Sequence, residues 1–296
     1  MSVSDETING WAKGPGETED QKCQNAEQAV KKAIASDSQL KSMDISVFTQ
    51  GSYRARTNVR KESDVDLCVR LNTIYFCDYP PGTKNVDFGL ESSNFTFSRF
   101  KDLVENALTN YFGADYITRG NKAFDIHENS YRVDADVLPA FVHRRYIAAG
   151  SYSYHEGIAF QTDSGTLIRN WPEQNYQDGV TKNDQTKRYY KRIVRIMKRL
   201  RYQMEDDGIV AAKNIPSYLI ECLVWNVPNS GFFHSTYKAD LQYALAHTFN
   251  ATITDEGCRE WGEINELKYL FRPSQKWTRE QAHSFLSAAW DYVGFE

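Results

Sequence analysis

Two pairs of aspartates, Asp64/Asp66 and Asp134/Asp136, are each split by one residue in stretches that otherwise alternate with apolar side chains. In the first, Val65, Leu67, Val69 and Leu71 share one parity and Asp64, Asp66, Cys68 and Arg70 the other. In the second, Tyr131, Val133, Ala135 and Val137 alternate with Arg132, Asp134, Asp136 and Leu138, and Pro139 is expected to close the strand. Residues two apart on a strand point to the same face, with α-carbons about 7 Å apart. Carboxylates grouped on faces rich in Val and Leu repel one another and hold protons more tightly unless water, a cation or a donor meets them. Mg²⁺ or Mn²⁺ removes that conflict: both take oxygen ligands, and two ions bridged by carboxylates lower the proton affinity of an attacking hydroxyl and stabilise charge on phosphate oxygens. The bland reading, a half-exposed ladder with solvated acids, suffices for a lone Asp-x-Asp. Here Gly51 and Ser52 form a turn 12 residues ahead of the first acid, and a further acidic strand follows later. Spacing alone names no reaction.

A second feature is basic. Lys182, Lys187, Arg188, Lys191, Arg192, Arg195, Lys198, Arg199 and Arg201 place nine of the chain's 35 Lys and Arg within 20 residues. Arg188, Arg192, Arg195 and Arg199 follow helical spacing, so a positive band should run beside an apolar stripe. Such a band is either a solvated helix face or a wall that neutralises a triphosphate.

The elements that must position these groups change character along the chain. A helix is expected over residues 19 to 34, from Cys23, Ala26, Val30, Ala33 and Ile34, and a strand at Ile45 and Val47 that stops at Gln50, Gly51 and Ser52. Tyr79 to Gly89 reads as a loop, Phe100 to Tyr111 as a helix, and Ile126 as the start of a strand or turn. After about Asn170 the pattern is helical: Ile193 to Leu200, Tyr218 to Leu223 from near Pro216, Tyr237 to His247, and Ala282 to Trp290 behind Thr278. The fold class is therefore α+β. The chain has 296 residues and a formal charge of -4, which argues against a surface that attracts a polyanion as a whole. No segment has the roughly 18 consecutive apolar residues of a membrane helix, and no secretory leader is evident. Five cysteines without a close pair fit a reducing compartment and argue against structural zinc, so a cytoplasmic protein is expected.

The segment QGSYRARTNVRKESDVDLCVRL, from Gln50 to Leu71, closely resembles the Gly-Ser turn and Asp-x-Asp strand of the polymerase-beta-like nucleotidyltransferases, and YRVDADVLPAF resembles their third-acid strand. The resemblance is to the bacterial relatives of cyclic GMP-AMP synthase and oligoadenylate synthase, the CD-NTases, and covers most of the chain. It implies a mixed-sheet lobe over residues 1–165, with the N-terminal helix able to bridge both lobes, and a helical nucleotide-binding lobe over 166–296, the two sharing a cleft. By position, Asp64, Asp66 and Asp136 would bind two Mg²⁺, or Mn²⁺, and carry catalysis. Asp134 stays the alternative third acid. Gln50, Gly51 and Ser52 would hold the triphosphate. KRYYKRIVRIMKRLR and IPSYLIE resemble the helices that would add Lys198 and Ser217 on phosphate and Tyr218 stacked on the donor base. Tyr218 read by itself is as readily a packed core residue. The chain departs from the pattern at Arg56, where relatives often have Gly.

The six histidines form no HExxH or Cys/His cluster, and Gly150 and Gly157 make no phosphate loop. The resemblance implies condensation of ribonucleoside triphosphates such as ATP and GTP into a cyclic di- or trinucleotide, with loss of pyrophosphate, in antiphage signalling. The product would act on a separate effector. A regulatory protein partner is left open, and neither a membrane nor an obligatory nucleic-acid partner is expected. Linear 2'-5' oligoadenylate synthesis, transfer to another acceptor, and a non-enzymatic nucleotide- or RNA-binding role are the alternatives.

Overall fold

The computed structural model of the chain describes residues 3–59 and 64–296. Arg60, Lys61, Glu62 and Ser63, inside the Gln50–Leu71 motif, lie outside the described residues. In chain order the elements are α1 (Asp5–Trp11), α2 (Glu17–Ser36), β1 (Ile45–Thr49), α3 (Gly51–Ala55), β2 (Val65–Asp78), α4 (Phe97–Phe112), β3 (Ile117–Arg119), β4 (Phe124–Ile126), β5 (Ala135–Tyr146), β6 (Tyr154–Gln161) and β7 (Leu167–Asn170). Then follow α5 (Pro172–Gln185), α6 (Tyr189–Asp206), α7 (Ser217–Trp225), α8 (Tyr237–Thr252), α9 (Asp255–Cys258) and α10 (Arg279–Val293). Two compact units result: a sheet unit, Gly16–Arg54 and Arg60–Glu173, and a helical unit, Met1–Pro15, Ala55–Val59 and Gln174–Glu296. The sheet unit's last segment ends at Glu173, α2 lies within that unit, and a short piece of the motif, Ala55–Val59, belongs to the helical unit.

The sheet runs β1-β2-β5-β4-β3, with β6 pairing both β5 and β7. Its centre is the parallel pair β2–β5, and the other pairs are antiparallel. Val65, Leu67, Val69 and Leu71 are all buried, so the parity read from the sequence faces the core. There they meet the stripe of α2 (Cys23, Ala26, Val30) and that of α4 (Phe100, Val104, Leu108). Each such side chain, fully buried, contributes about 1.5–3 kcal/mol. The carboxylates of the same strands are left on the other face.

Pro139 does not close its strand, because β5 runs through it to Tyr146. A proline cannot donate to a ladder, and in a central strand that normally costs a hydrogen bond. Here β4 pairs β5 only as far as Val137 and β6 only from Phe141, so the missing N–H falls in the gap between two partners on that edge.

The helical unit closes over Ile193, Ile196, Met197 and Leu200 of α6 and Leu219 to Val224 of α7, with α8, α10 and Ile8 of α1 around them. Thr278 and Gln281 cap α10 reciprocally, as the Thr-x-x-Gln spacing leads one to expect. No helix among the described residues is long and apolar enough to cross a membrane.

Candidate active site

The parallel register of β2 and β5 sets Asp66 opposite Asp136, and β4 sets Asp125 opposite Asp136 from the other side. Residues directly opposite on neighbouring strands present their side chains to one face, so three carboxylates stand in a row across β2, β5 and β4. Asp64 and Asp134 precede the two strands at the next same-face level. The Val65 amide donates to the Asp134 carbonyl at 3.0 Å and ties the two entrances together. The Asp134 carboxylate accepts the backbone N–H of Glu128. Of the two acids left open by the sequence, Asp136 is the one aligned with Asp66, while Asp134 holds the turn that leads into β5.

The row carries the electrostatic conflict expected of it. Burial pushes the Asp136 carboxyl up to about 7, and its hydrogen bond with Asp125 and the charges of Asp66, Asp64 and Asp125 add to that. Partial burial, then the charges of Asp134, Asp125 and Glu128, raise Asp64 as well. Among the described residues no group of three or more His, Cys, Asp or Glu side chains is placed so that it could hold a metal ion by itself. Mg²⁺ does not require one: it keeps several waters and takes one or two carboxylates plus substrate phosphates. An all-oxygen set in which Asp136 and Asp64 hold their protons more tightly than usual fits such a cation.

The turn before the acids is shaped by Gly51. The Gln50 amide donates to the Asp66 carbonyl at 2.8 Å, the chain then turns with a Gly51 φ of +63°, and α3 starts. A Cβ on residue 51 would lie 1.9 Å from Asp66 Oδ2. Glycine is thus required twice, for the left-handed backbone and for the space the carboxylate occupies. Ser52 is half-buried in the first turn of α3. Arg56, the expected departure from the family pattern, adopts a φ of +54°.

In the helical unit the basic stretch is largely committed to the chain itself. Lys182, 7% exposed, donates to the Val227 carbonyl at 2.8 Å and to Asn229 Oδ1 at 3.0 Å, beneath the rings of Tyr190, Trp225 and Phe232. Arg195 donates to the carbonyls of Ala12 and Arg56, and Arg199 to that of Gly10. Lys198 is buried, bound to Thr57 and Glu221. The lysine expected to contact phosphate thus has its ammonium on Thr57 and Glu221. Ser217 opens α7 and accepts from Arg201 at 3.0 Å. The hydroxyl of Tyr218 lies 2.9 Å from Asn175 Oδ1 and 3.2 Å from Glu263 Oε2, which fixes a half-buried ring.

Two residues escaped the sequence reading. Asp125 was hidden because β4 has only three residues, although Phe124, Asp125 and Ile126 do alternate. Glu221 stood in the SYLIE segment as one more acid on an apolar helix, and its burial beside a lysine was the missing signal.

Residues 177–294 match the family model of the cGAS/DncV-like nucleotidyltransferase C-terminal helical domain. The chain is 45% identical over 296 residues to a cyclic dipyrimidine nucleotide synthase of Legionella pneumophila, covering 99% of each. The structure of the Elizabethkingia meningoseptica cyclic dinucleotide synthase with GTP and Apcpp is similar at a TM-score of 0.83 and 33% identity, over 99% of this chain and 100% of that one. That of the Rhodothermus marinus c-UMP-AMP synthase with Apcpp and Upnpp gives 0.87 and 29%, over 98% and 96%. A mixed sheet bearing a row of acids and a helical unit of this type define a nucleotidyltransferase. The chain belongs to the bacterial CD-NTase family of cyclic nucleotide synthases.

Proposed function

We propose that this protein joins two ribonucleoside triphosphates into a cyclic dinucleotide, releasing pyrophosphate at each bond, with at least one pyrimidine in the ring. The observation that carries the reaction is the row of Asp66 and Asp136 in register on adjacent parallel strands beside the Gly51 turn. The pyrimidine rests on the 45% identity to the dipyrimidine synthase, against 33% to the enzyme solved with GTP.

Asp64, Asp66 and Asp136 hold the divalent cations, Mg²⁺ or Mn²⁺. When bound, these lower the proton affinity of the attacking ribose hydroxyl and neutralise charge on the phosphate oxygens. Gly51 and Ser52 bind the donor triphosphate through their backbone N–H groups and the Ser52 hydroxyl, which stabilises charge developing on the leaving pyrophosphate, and Gln50, its own N–H on the Asp66 carbonyl, anchors the start of that turn. In the helical unit, the Ser217 hydroxyl at the start of α7 is a group able to bind nucleotide phosphate. Tyr218, its ring fixed by Asn175 and Glu263, stacks on a base. The product serves a separate effector in antiphage defence.

Incubation with all four ribonucleoside triphosphates and Mg²⁺ or Mn²⁺, then mass analysis and linkage-specific nuclease digestion, tests the reading. A phosphatase-resistant cyclic dinucleotide containing U or C is expected. Linear products with terminal phosphates, or none, overturn cyclisation, and a ring of purines alone overturns the base assignment.

A further inference from the structure

Within the helical unit, residues 261–270 fold back on themselves as a hairpin. The Leu270 amide donates to the Trp261 carbonyl at 2.7 Å and the Glu263 amide to the Lys268 carbonyl at 2.8 Å, Gly262 bridges to Tyr269, and Glu266 turns the chain at a left-handed φ of +53°. Asn226, which caps the C-terminus of α7, donates from its side chain to the Gly262 carbonyl at 2.9 Å. The hairpin is thereby tied to the helix that carries Tyr218.

Glu263 and Asn265 of this hairpin are buried, 5% and 4% exposed. The Leu267 amide donates to Asn265 Oδ1 at 2.8 Å, so the amide nitrogen of Asn265 faces the other way, 2.9 Å from Glu263 Oε2 and 3.0 Å from Asn175 Oδ1. Gln275 Nε2 donates to Glu263 Oε1 at 2.7 Å. With the Tyr218 hydroxyl at 3.2 Å, the Glu263 carboxylate accepts from three neutral donors. Neutral donors are a small return for burying a carboxyl group, and apolar packing at such a position is usually as stable. What the carboxylate does supply is direction. It gathers Tyr218, Asn265 and Gln275 onto one acceptor, while Trp277 meets the Tyr218 ring edge-on at 6.3 Å.

We propose that Glu263 is a positioning residue for nucleotide binding: from the hairpin it holds the Tyr218 ring in the orientation that stacks on a base, without itself touching the nucleotide. The role rests on Tyr218 stacking on a base, as in the function proposed for the chain. A ring already held at its hydroxyl loses little freedom when a base arrives, so less of the stacking energy is spent on ordering it. Stacking tolerates any base, so purine and pyrimidine nucleotides share the gain. A ligand with phosphates and no base receives none of it.

The test uses the full chain with Glu263→Met, Tyr218→Phe and the double variant. Affinities are measured, with Mg²⁺ present, for non-hydrolysable ATP and UTP analogues and for inorganic tripolyphosphate. Glu263→Met is expected to weaken both nucleotide analogues at least about threefold more than tripolyphosphate, and in turnover the loss should appear in KM more than in kcat. Tyr218→Phe, which removes the hydroxyl and keeps the ring, should show the same split, and the double variant should be no worse than either single one. A smaller difference between nucleotides and tripolyphosphate means that the carboxylate only supports the fold, and overturns the proposal. An added loss in the double variant overturns it too, because Glu263 would then act other than through Tyr218. Should Glu263→Met fail to fold, Tyr218→Phe decides alone by the same criterion. A wild-type chain that binds the analogues and forms no product defeats the transfer reading, and the comparison with tripolyphosphate still decides the role of Glu263. Wild-type protein that binds the analogues no more tightly than tripolyphosphate defeats base stacking, and this role with it.

Discussion

Gly51 and Asp66 share one volume: the carboxylate of Asp66 lies where a Cβ on residue 51 would be, 1.9 Å away. Gly51→Ala must therefore move the carboxylate or the turn, and it must also hold alanine at a φ of +63°. The backbone strain costs about 1–2 kcal/mol, which a chain with two large cores survives. Nucleotide coupling is expected to fall about 100-fold or more, because a misplaced metal ligand costs transition-state stabilisation directly. Product formation and the thermal midpoint, measured together, separate the two effects.

Asp136 and Asp134 differ in partner, and so in the expected result of replacing them. Asp136→Asn removes a carboxylate in register with Asp66 and should abolish metal-dependent coupling with the fold intact, as should Asp66→Asn. Asp134→Asn keeps an oxygen able to accept the Glu128 N–H, so activity within about tenfold of wild type is expected. Equal loss in both variants would return Asp134 to the metal site.

The Asp136 carboxyl holds its proton up to about pH 7 in the folded chain, whereas an unfolded aspartate loses it near about 3.9. Between those values the folded state carries the extra proton. This group therefore lowers the stability of the metal-free protein as pH rises from about 4 to about 7 and changes nothing further above that. A divalent cation competes with the same proton, so its affinity should climb about tenfold per pH unit below 7. Thermal shifts with Mg²⁺ or Mn²⁺ should accordingly be larger at pH 8 than at pH 6, and Asp136→Asn should erase that difference. Asp125→Asn leaves a donor to Asp136 and removes a neighbouring charge, so the profile should move to lower pH.

How far the sequence led depended on whether a signal was local. The parity of Val65 to Leu71, the Gly51 turn and the Thr278 cap are written in neighbouring residues, and the structure repeats them. Pro139 misled because a proline ends a strand only if its N–H side is occupied, and which strand lies there is a question of topology. Asp125 joins the acid row through the register of a three-residue strand, which has too few residues to show a period. The basic helix shows the same limit from the other direction. Spacing puts Arg195, Lys198 and Arg199 on a helix, but only the positions of Ala12, Arg56, Thr57 and Gly10 reveal that these cations bind carbonyls of their own chain.

Arg56 occupies a left-handed position, φ +54°, so its replacement by glycine weighs backbone strain against chain entropy. Relieving an L-residue of that conformation is worth about 1–2 kcal/mol, and the extra freedom of glycine in the unfolded chain returns about 0.5–1 kcal/mol. The Arg56 carbonyl accepts from Arg195 whatever its side chain, so that bond survives the change. Arg56→Gly should therefore lie within about 1 kcal/mol of wild type, on the stabilising side. Arg56→Val crowds the same φ with a branched Cβ and should lose about 1–2 kcal/mol. Urea midpoints at constant m-value measure both, and a destabilised glycine variant would mean that the Arg56 side chain, not its backbone, is what holds this segment.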